Sequence, residues 1–281
     1  MKLTWIFSVL IFSGVWGQQL EYSSSTRLDS LLEESSGIVV ATDSTFFTIN
    51  DSGNDPVLFE INQKGKVIRQ ITIKAKNRDW EDLAKDELGN VYIGDFGNNS
   101  NSRKDLKIYK LPKQELRKNE IQPIAYSIMY PDQKKFPPEK YELYYDCEAF
   151  VVRDNFAYLF TKNRTDPFDG LSKVYKVDLN TTKTTVEKIG ELQLCKGGWY
   201  PCSVTAASYD NGQLLLLTYS QIIRFKNFDF NHPEKSSFDY IPLGKIEQFE
   251  AICQNPKGEI ILTSEKHKII GGNKLHKAKI K

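Results

Sequence analysis

Residues 81–96, EDLAKDELGNVYIGDF, read as an oxygen-bearing head residue, a short strand, a tight turn and a returning strand. The same unit begins at Ser36 (SGIVVATDSTFFTIND), Glu148 (EAFVVRDNFAYLFTK), Thr205 (TAASYDNGQLLLLTY) and Glu250 (EAICQNPKGEIILTSE), so the chain carries five copies. Units recurring at roughly 45 to 65 residues, each followed by further strand-like runs, predict a β-propeller with one blade per unit.

Hairpin arithmetic tests the unit. If each head pairs with the end of its returning strand, Ser36 meets Asn50 about Asp43 and Glu81 meets Asp95 about Leu88. Likewise Glu148 meets Thr161 about Asp154-Asn155, Thr205 meets Thr218 about Asn211-Gly212, and Glu250 meets Ser264 about Lys257-Gly258. Each centre falls among turn residues, and Asn211-Gly212 is the strongest hairpin signal.

Two more strand-like runs follow each of the first four hairpins: 57–61 and 67–73, 106–111 and 124–130, 173–177 and 186–192, 222–225 and 238–243. The fifth hairpin is followed only by 274–280, and 20–28 supplies the missing strand. A first strand that completes the last blade closes the ring and removes its exposed edges. The expected fold is therefore all-β, a five-bladed β-propeller of four-stranded blades closed by the N-terminal strand, with six blades as the alternative. No long stretch keeps a 3.6-residue period, and 29–32 allows one helical turn. The longest connection, 132–146, carries prolines and three tyrosines and reads as a lid beside the third blade.

The N-terminus joins Lys2, an apolar run over 3–15 and the small residues Ser13, Gly14 and Gly17. That layout is a secretory signal peptide over 1–17, leaving a single propeller domain over 18–281. The apolar run is short for a bilayer span, so a secreted or periplasmic protein without stable membrane insertion is expected. Lys and Arg number 38 against 36 Asp and Glu, for a formal charge of +2, and the two signs are interspersed. Without a basic stripe, a nucleic-acid partner is not expected. Four cysteines allow two disulfides in an oxidising compartment. Cys195 can close a short loop with Cys202, Cys147 with Cys202 is the competing pairing, Cys253 has no assigned mate, and fully reduced thiols are the third case.

In a propeller the innermost strands line the channel, which gathers their heads at one mouth. Ser36, Glu81, Glu148, Thr205 and Glu250 would form that ring. Carboxylates so crowded repel unless protonated or neutralised, and hard oxygen donors of net negative charge suit Ca²⁺. A water-filled channel without metal is the alternative. The ends of the returning strands predict a second ring of Asn50, Asp51, Asp95, Thr161, Lys162, Thr218, Tyr219, Ser264 and Glu265, with Arg103 and Arg164 in the loops behind. Lys162, Arg103 and Arg164 around a metal suit a small anionic ligand, phosphate or carboxylate. His232, His267 and His276 lie apart from any nucleophile motif, so a Ser-His-Asp mechanism has little support in the sequence. No phosphate-binding glycine loop is present, and Trp80 reads as blade packing.

Trp80-Glu81-Asp82-Leu83-Ala84, Gly94-Asp95-Phe96-Gly97-Asn98-Asn99, Asp146-Cys147-Glu148-Ala149, Thr161-Lys162 and Val204-Thr205-Ala206-Ala207, in that order, resemble a family of uncharacterised secreted bacterial β-propellers. The likeness spans the chain beyond the leader and implies the fold more than an activity. More distantly, the heads are similar to the calcium-activated nucleotidases, the soluble apyrases. In those five-bladed propellers a Ser, Glu, Glu, Ser, Glu series holds Ca²⁺. That resemblance implies the metal set Ser36, Glu81, Glu148, Thr205 and Glu250, with Thr205 in place of the second serine. The sequence thus predicts a monomeric exported propeller with a channel Ca²⁺ that binds a ligand or extracellular partner at its mouth. A metal-dependent hydrolase of phosphate esters or anhydrides and a structural scaffold are the alternatives.

Overall fold

Strands joined by tight turns pair with their sequence neighbours, and here they do so in five separate antiparallel sheets. The computed structural model describes residues 18–281, and the leader expected over 1–17 lies outside the described residues. From the channel outward, the first blade is Ser35–Thr42, Thr45–Asn50, Val57–Asn62 and Val67–Ile73, with Glu120–Ile121 added in parallel at its edge. The second is Trp80–Lys85, Val91–Asp95, Lys107–Leu111 and Ile124–Ser127; the third is Asp146–Arg153, Phe156–Lys162, Leu171–Asp178 and Val186–Gln193. The fourth is Val204–Asp210, Gln213–Thr218, Gln221–Phe225 and Asp239–Pro242. The fifth is Phe249–Gln254, Ile260–His267 and Gly271–Ile280, completed by the chain's first strand, Leu20–Arg27. That last pairing runs from Leu20 opposite Ile280 to Arg27 opposite Lys274. The ring is therefore five-bladed, and the six-bladed alternative falls.

Apolar side chains that alternate along each strand meet those of the next blade, so the core lies between blades. Trp80 is fully buried with Ile49, Leu58, Ile71 and Ile93 between the first and second blades, as packing and not as a ligand platform. Phe96 meets Phe150 edge-to-face at 5.1 Å between the second and third. Each such buried side chain contributes about 1.5–3 kcal/mol.

One irregularity recurs. In every blade the innermost strand carries a β-bulge at its head: Ser36-Gly37, Glu81-Asp82, Glu148-Ala149, Thr205-Ala206 and Glu250-Ala251 each place two residues against one. A bulge leaves one residue outside the ladder and re-aims its side chain. It also shifts pairing by one, so the residues that meet Asn50, Asp95, Thr161, Thr218 and Ser264 are Ser35, Trp80, Cys147, Val204 and Phe249, each one before the expected head.

Cys195 and Cys202 form a disulfide with Cα atoms 5.5 Å apart, and Cys147 and Cys253 are buried free thiols. The 132–146 connection is strapped down: the Asp132 carboxylate accepts from Lys173 Nζ at 2.7 Å and from the Tyr175 hydroxyl at 2.8 Å. Those bonds, made in a buried tyrosine cluster, replace the expected lid. No helix among the described residues is long and apolar enough to cross a membrane.

Candidate metal centre at the channel mouth

Side chains on a strand alternate, so residues two apart share a face. Glu81 and Glu148 line the channel mouth, and Asp79 and Asp146 stand two positions before them. Ligand oxygens of Asp51, Asp79 and Glu81 lie within 4.8 Å of one another, and so do those of Glu81, Asp146 and Glu148. Glu81 belongs to both groups.

The mouth is a cavity of about 160 Å³ lined by Ser36, Asp51, Glu81, Asn99, Glu148, Lys162, Arg164, Tyr219, Gln248, Glu250 and Glu265. At ~30 Å³ per water it holds about five waters, below the ~300 Å³ of usual small-molecule sites. It suits a hydrated ion or the head of a larger ligand.

Of the expected inner ring, Ser36, Glu81, Glu148 and Glu250 line this cavity and Thr205 does not. The Thr205 hydroxyl donates to the Phe249 carbonyl of the fifth blade at 2.9 Å, and the Ser36 hydroxyl donates to the Glu81 carbonyl of the second. Both hydroxyls fasten blade to blade.

The second ring divides on the one-residue shift. Asp51, Lys162, Glu265 and the loop residue Arg164 line the cavity. Asn50, Thr161, Thr218 and Ser264, one position earlier on their strands, are turned away. Asn50 Nδ2 donates to the Leu31 carbonyl at 2.7 Å, Thr161 Oγ1 accepts from the Lys173 amide at 2.9 Å, Thr218 Oγ1 donates to the Gln221 carbonyl at 3.0 Å, and Ser264 Oγ donates to Glu247 at 2.6 Å. Asp95 and Arg103 pair with each other at 2.9 Å, where Asp95 also accepts from the Asp79 amide at 3.2 Å, so they support the wall from behind.

Charges in the mouth are unevenly matched. Lys162, 1 % exposed, pairs its ammonium with Glu148 and donates to the Tyr219 hydroxyl oxygen 2.9 Å away. Against burial, Glu148 and Glu250 hold that ammonium above its ordinary pKa, so it stays charged. Arg164 binds Asp146 at 2.7 Å and Glu148 at 3.2 Å. Burial pushes the Glu148 carboxyl up while Lys162 and Arg164 pull it down, leaving it at about 8. Glu265 rises to about 9, first through burial and then through Glu250, Asp51 and Glu148. Asp51 and Asp79 rise to about 6, chiefly through burial.

Glu81 is the extreme case. It is 6 % exposed, and its side chain has no hydrogen-bond or ion-pair partner among the described residues. Burial, then Glu148, Asp51, Asp146 and Asp79, drive its carboxyl well above the usual range. Gly97 makes room for this crowding, since a Cβ there would stand 2.0 Å from Glu81 Oε1 and 2.6 Å from the Asp79 carboxylate. Bulk is therefore excluded at Gly97.

An aromatic shelf flanks the mouth. The disulfide pins a loop on which Trp199 is 38 % and Tyr200 is 42 % exposed. The Trp199 ring lies 5.5 Å from Lys162 Nζ and 5.4 Å from the Arg164 guanidinium, and Tyr200 stacks on Tyr219 at 5.2 Å.

No protein-family profile and no curated protein sequence matches the chain. Solved structures do. Glutaminyl cyclase of Myxococcus xanthus superposes with a TM-score of 0.55 at 10 % identity, covering 94 % of this chain and 97 % of that one. The PQQ-bound aldose sugar dehydrogenase of Streptomyces coelicolor does so with 0.53 at 7 % identity, covering 94 % and 98 %. At such identity the likeness is one of fold, the β-propeller, and the motif resemblance to secreted propellers and apyrases receives no separate support.

Proposed function

We propose that the channel mouth binds a hard divalent cation, Ca²⁺ foremost, between Asp51, Asp79 and Glu81, and that an exported propeller uses this charge to hold a ligand presented at the mouth. The unpartnered, buried Glu81 carries the reading. Glu81 opens on the cavity without a protein donor, its ionised form is disfavoured by burial and by the neighbouring carboxylates, and a cation relieves that without requiring protonation.

Charge bookkeeping separates the two acidic groups. Asp146 already accepts from the Asn98 amide at 2.7 Å and from Arg164 at 2.7 Å, and Glu148 is engaged by Lys162 and Arg164. Lys162 and Arg164 thus serve that side of the mouth as internal cations. Asp51 accepts only from the neighbouring Ser52 amide, and Glu81 accepts from nothing. The deficit of positive charge lies on the Asp51, Asp79 and Glu81 side. Three carboxylates in irregular array suit Ca²⁺ better than the strict octahedron of Mg²⁺ or the His and Cys preference of Zn²⁺.

When bound, the cation supplies a fixed positive charge with open coordination positions. The chain's own part is to present it: Gly97 leaves the space, Arg164 and Asn99 rim it, and Trp199 and Tyr200 offer an apolar face to a ligand. Arg103 is committed to Asp95, and Lys162 and Arg164 are spent on carboxylates. That favours binding over the hydrolysis of a phosphate, for which these cations would have to be free. The disulfide fits an oxidising, extracytoplasmic setting.

Thermal unfolding in a Ca²⁺ titration tests the reading, because an ion bound only by the folded chain raises stability by about 2.7 kcal/mol at a hundredfold excess over Kd. Stabilisation that vanishes in Glu81→Gln is expected. No shift in the wild type, or an unchanged shift in Glu81→Gln, removes the cation from the account.

A further inference from the structure

The sequence holds its histidines far from any nucleophile motif, but ring closure brings two ends of the chain together. Ser25, exposed on the first strand, places its Oγ 2.7 Å from His276 Nδ1, a residue 251 positions away. His276 is fully buried, and its Nε2 lies 3.0 Å from Glu247 Oε2. Glu247 also accepts from Lys274 Nζ at 2.7 Å and from Ser264 Oγ at 2.6 Å.

We propose that Ser25 is an activated nucleophile that takes an acyl group from a carboxylic ester, with His276 as its base and Glu247 as the carboxylate that positions the base. The site lies on the fifth blade, none of Ser25, His276 and Glu247 lines the mouth cavity, and the proposal does not rest on the cation reading.

The protons support the order. Against burial, Lys274, Ser264 and His276 hold the Glu247 carboxyl below its usual range, so it is ionised and accepts. Nε2 must then carry the imidazole proton, which leaves the Nδ1 lone pair facing the Ser25 hydroxyl. Burial first, helped by Lys245 and Lys274 and opposed by Glu247, holds His276 below its ordinary value, so the ring is neutral at neutral pH. Tyr22 edge-on at 5.5 Å and Phe249 at 5.4 Å fix its plane. The ring nitrogens are used in the reverse of the common triad order, but proton transfer needs only a lone pair in reach of the hydroxyl.

The step balances. Ser25 Oγ attacks the ester carbonyl carbon while its proton passes to His276 Nδ1. The tetrahedral adduct expels the alcohol, which takes that proton, and Ser25 is left as an ester. Water, deprotonated by the same nitrogen, releases the acid and restores the serine.

Ser23, two residues earlier on the same exposed face, is the internal control. Its hydroxyl lies 3.3 Å from Glu259 Oε1 and 3.2 Å from the Lys277 carbonyl, with no imidazole in reach. The full chain is treated with a fluorophosphonate probe and mapped by peptide mass spectrometry, with nitrophenolate release from p-nitrophenyl acetate as a second readout. One adduct at Ser25 and none at Ser23 is expected, with a labelling rate that rises through the lowered His276 pKa and then levels. Ser25→Ala abolishes the adduct with only a small fall in melting temperature, since it leaves the buried His276 Nδ1 without its donor, and His276→Gln slows labelling by about 10²-fold or more. The pH profile of the wild type carries the same information should His276→Gln fail to fold. No adduct, equal labelling of Ser23, persistence in Ser25→Ala or a flat pH profile overturns the proposal.

Discussion

Glu81 and Asp82 are neighbouring carboxylates in a single bulge, and the fold treats them in opposite ways. Asp82 is fully buried and accepts three backbone N–H bonds, from Leu83 at 2.8 Å, Phe150 at 3.2 Å and Ala207 at 3.2 Å. Those amides belong to the second, third and fourth blades, so one side chain ties three innermost strands across the channel. Glu81 looks the other way and meets no donor. The equivalents of Asp82 in the other blades are Gly37, Ala149, Ala206 and Ala251, small enough to leave the axis to a single carboxylate. Gly37 is needed for a second reason: at φ +66° a Cβ there would lie 2.5 Å from the Leu83 amide. A buried carboxylate on which donors converge is a structural tie, whereas the one without protein donors is where the proposed cation would sit.

Asp82→Ala breaks the comparison on its structural side and has the largest expected effect. It strands three buried N–H groups at about 1–3 kcal/mol each, so a loss on the order of 3–9 kcal/mol in urea unfolding is expected. A loss under about 1 kcal/mol would show that the amides do not depend on Asp82.

Glu81→Gln acts in the opposite direction. Burial and its acidic neighbours disfavour the charged form of this carboxyl, so replacing it should leave stability without Ca²⁺ unchanged or higher. It should also erase the Ca²⁺-induced rise. If it lowers cation-free stability instead, Glu81 has a protein partner and the contrast with Asp82 is wrong.

Proton linkage sharpens the same contrast. Carboxyls raised in the folded state favour the protonated form, so their stabilisation is full below the unfolded values and fades as pH climbs through the folded ones. Asp51 and Asp79 move from 3.8 to about 6 and Glu265 from 4.5 to about 9. Stability in a chelator should therefore decline between about pH 4 and 9, and millimolar Ca²⁺ should flatten the decline. Unfolding curves across that range with and without Ca²⁺ measure it; parallel curves would argue against a shared site.

The sequence made the blades legible because strand alternation and turn chemistry are local. The heads were legible for the same reason, and Ser36, Glu81, Glu148 and Glu250 do meet at one cavity. The bulge left no mark in composition, and its single extra residue turned Asn50, Thr161, Thr218 and Ser264 off the mouth while their successors Asp51, Lys162, Tyr219 and Glu265 face it. Asp79 and Asp146 were within reach of the two-residue period, since each stands two places before a glutamate head, as Gln248 does before Glu250. The Ser25, His276 and Glu247 contact depends on ring closure across most of the chain and has no local signal.

Thr205 offers the smallest and most discriminating change. As a member of the inner ring it would be a cation ligand, but its hydroxyl is already donated to the Phe249 carbonyl. Thr205→Val keeps the shape and removes one hydrogen bond, so a loss of about 0.5–1.5 kcal/mol is expected, with the Ca²⁺ response of the wild type intact. A cation-ligand role would give the reverse pattern, little change without Ca²⁺ and a weakened response to it. The two outcomes differ in kind as well as in size, because a fastener between blades acts in every condition and a ligand acts only when the ion is present. An intact response would leave the cation to Asp51, Asp79 and Glu81, and would make position 205 a counterpart of Asp82: a polar head spent on holding the ring together.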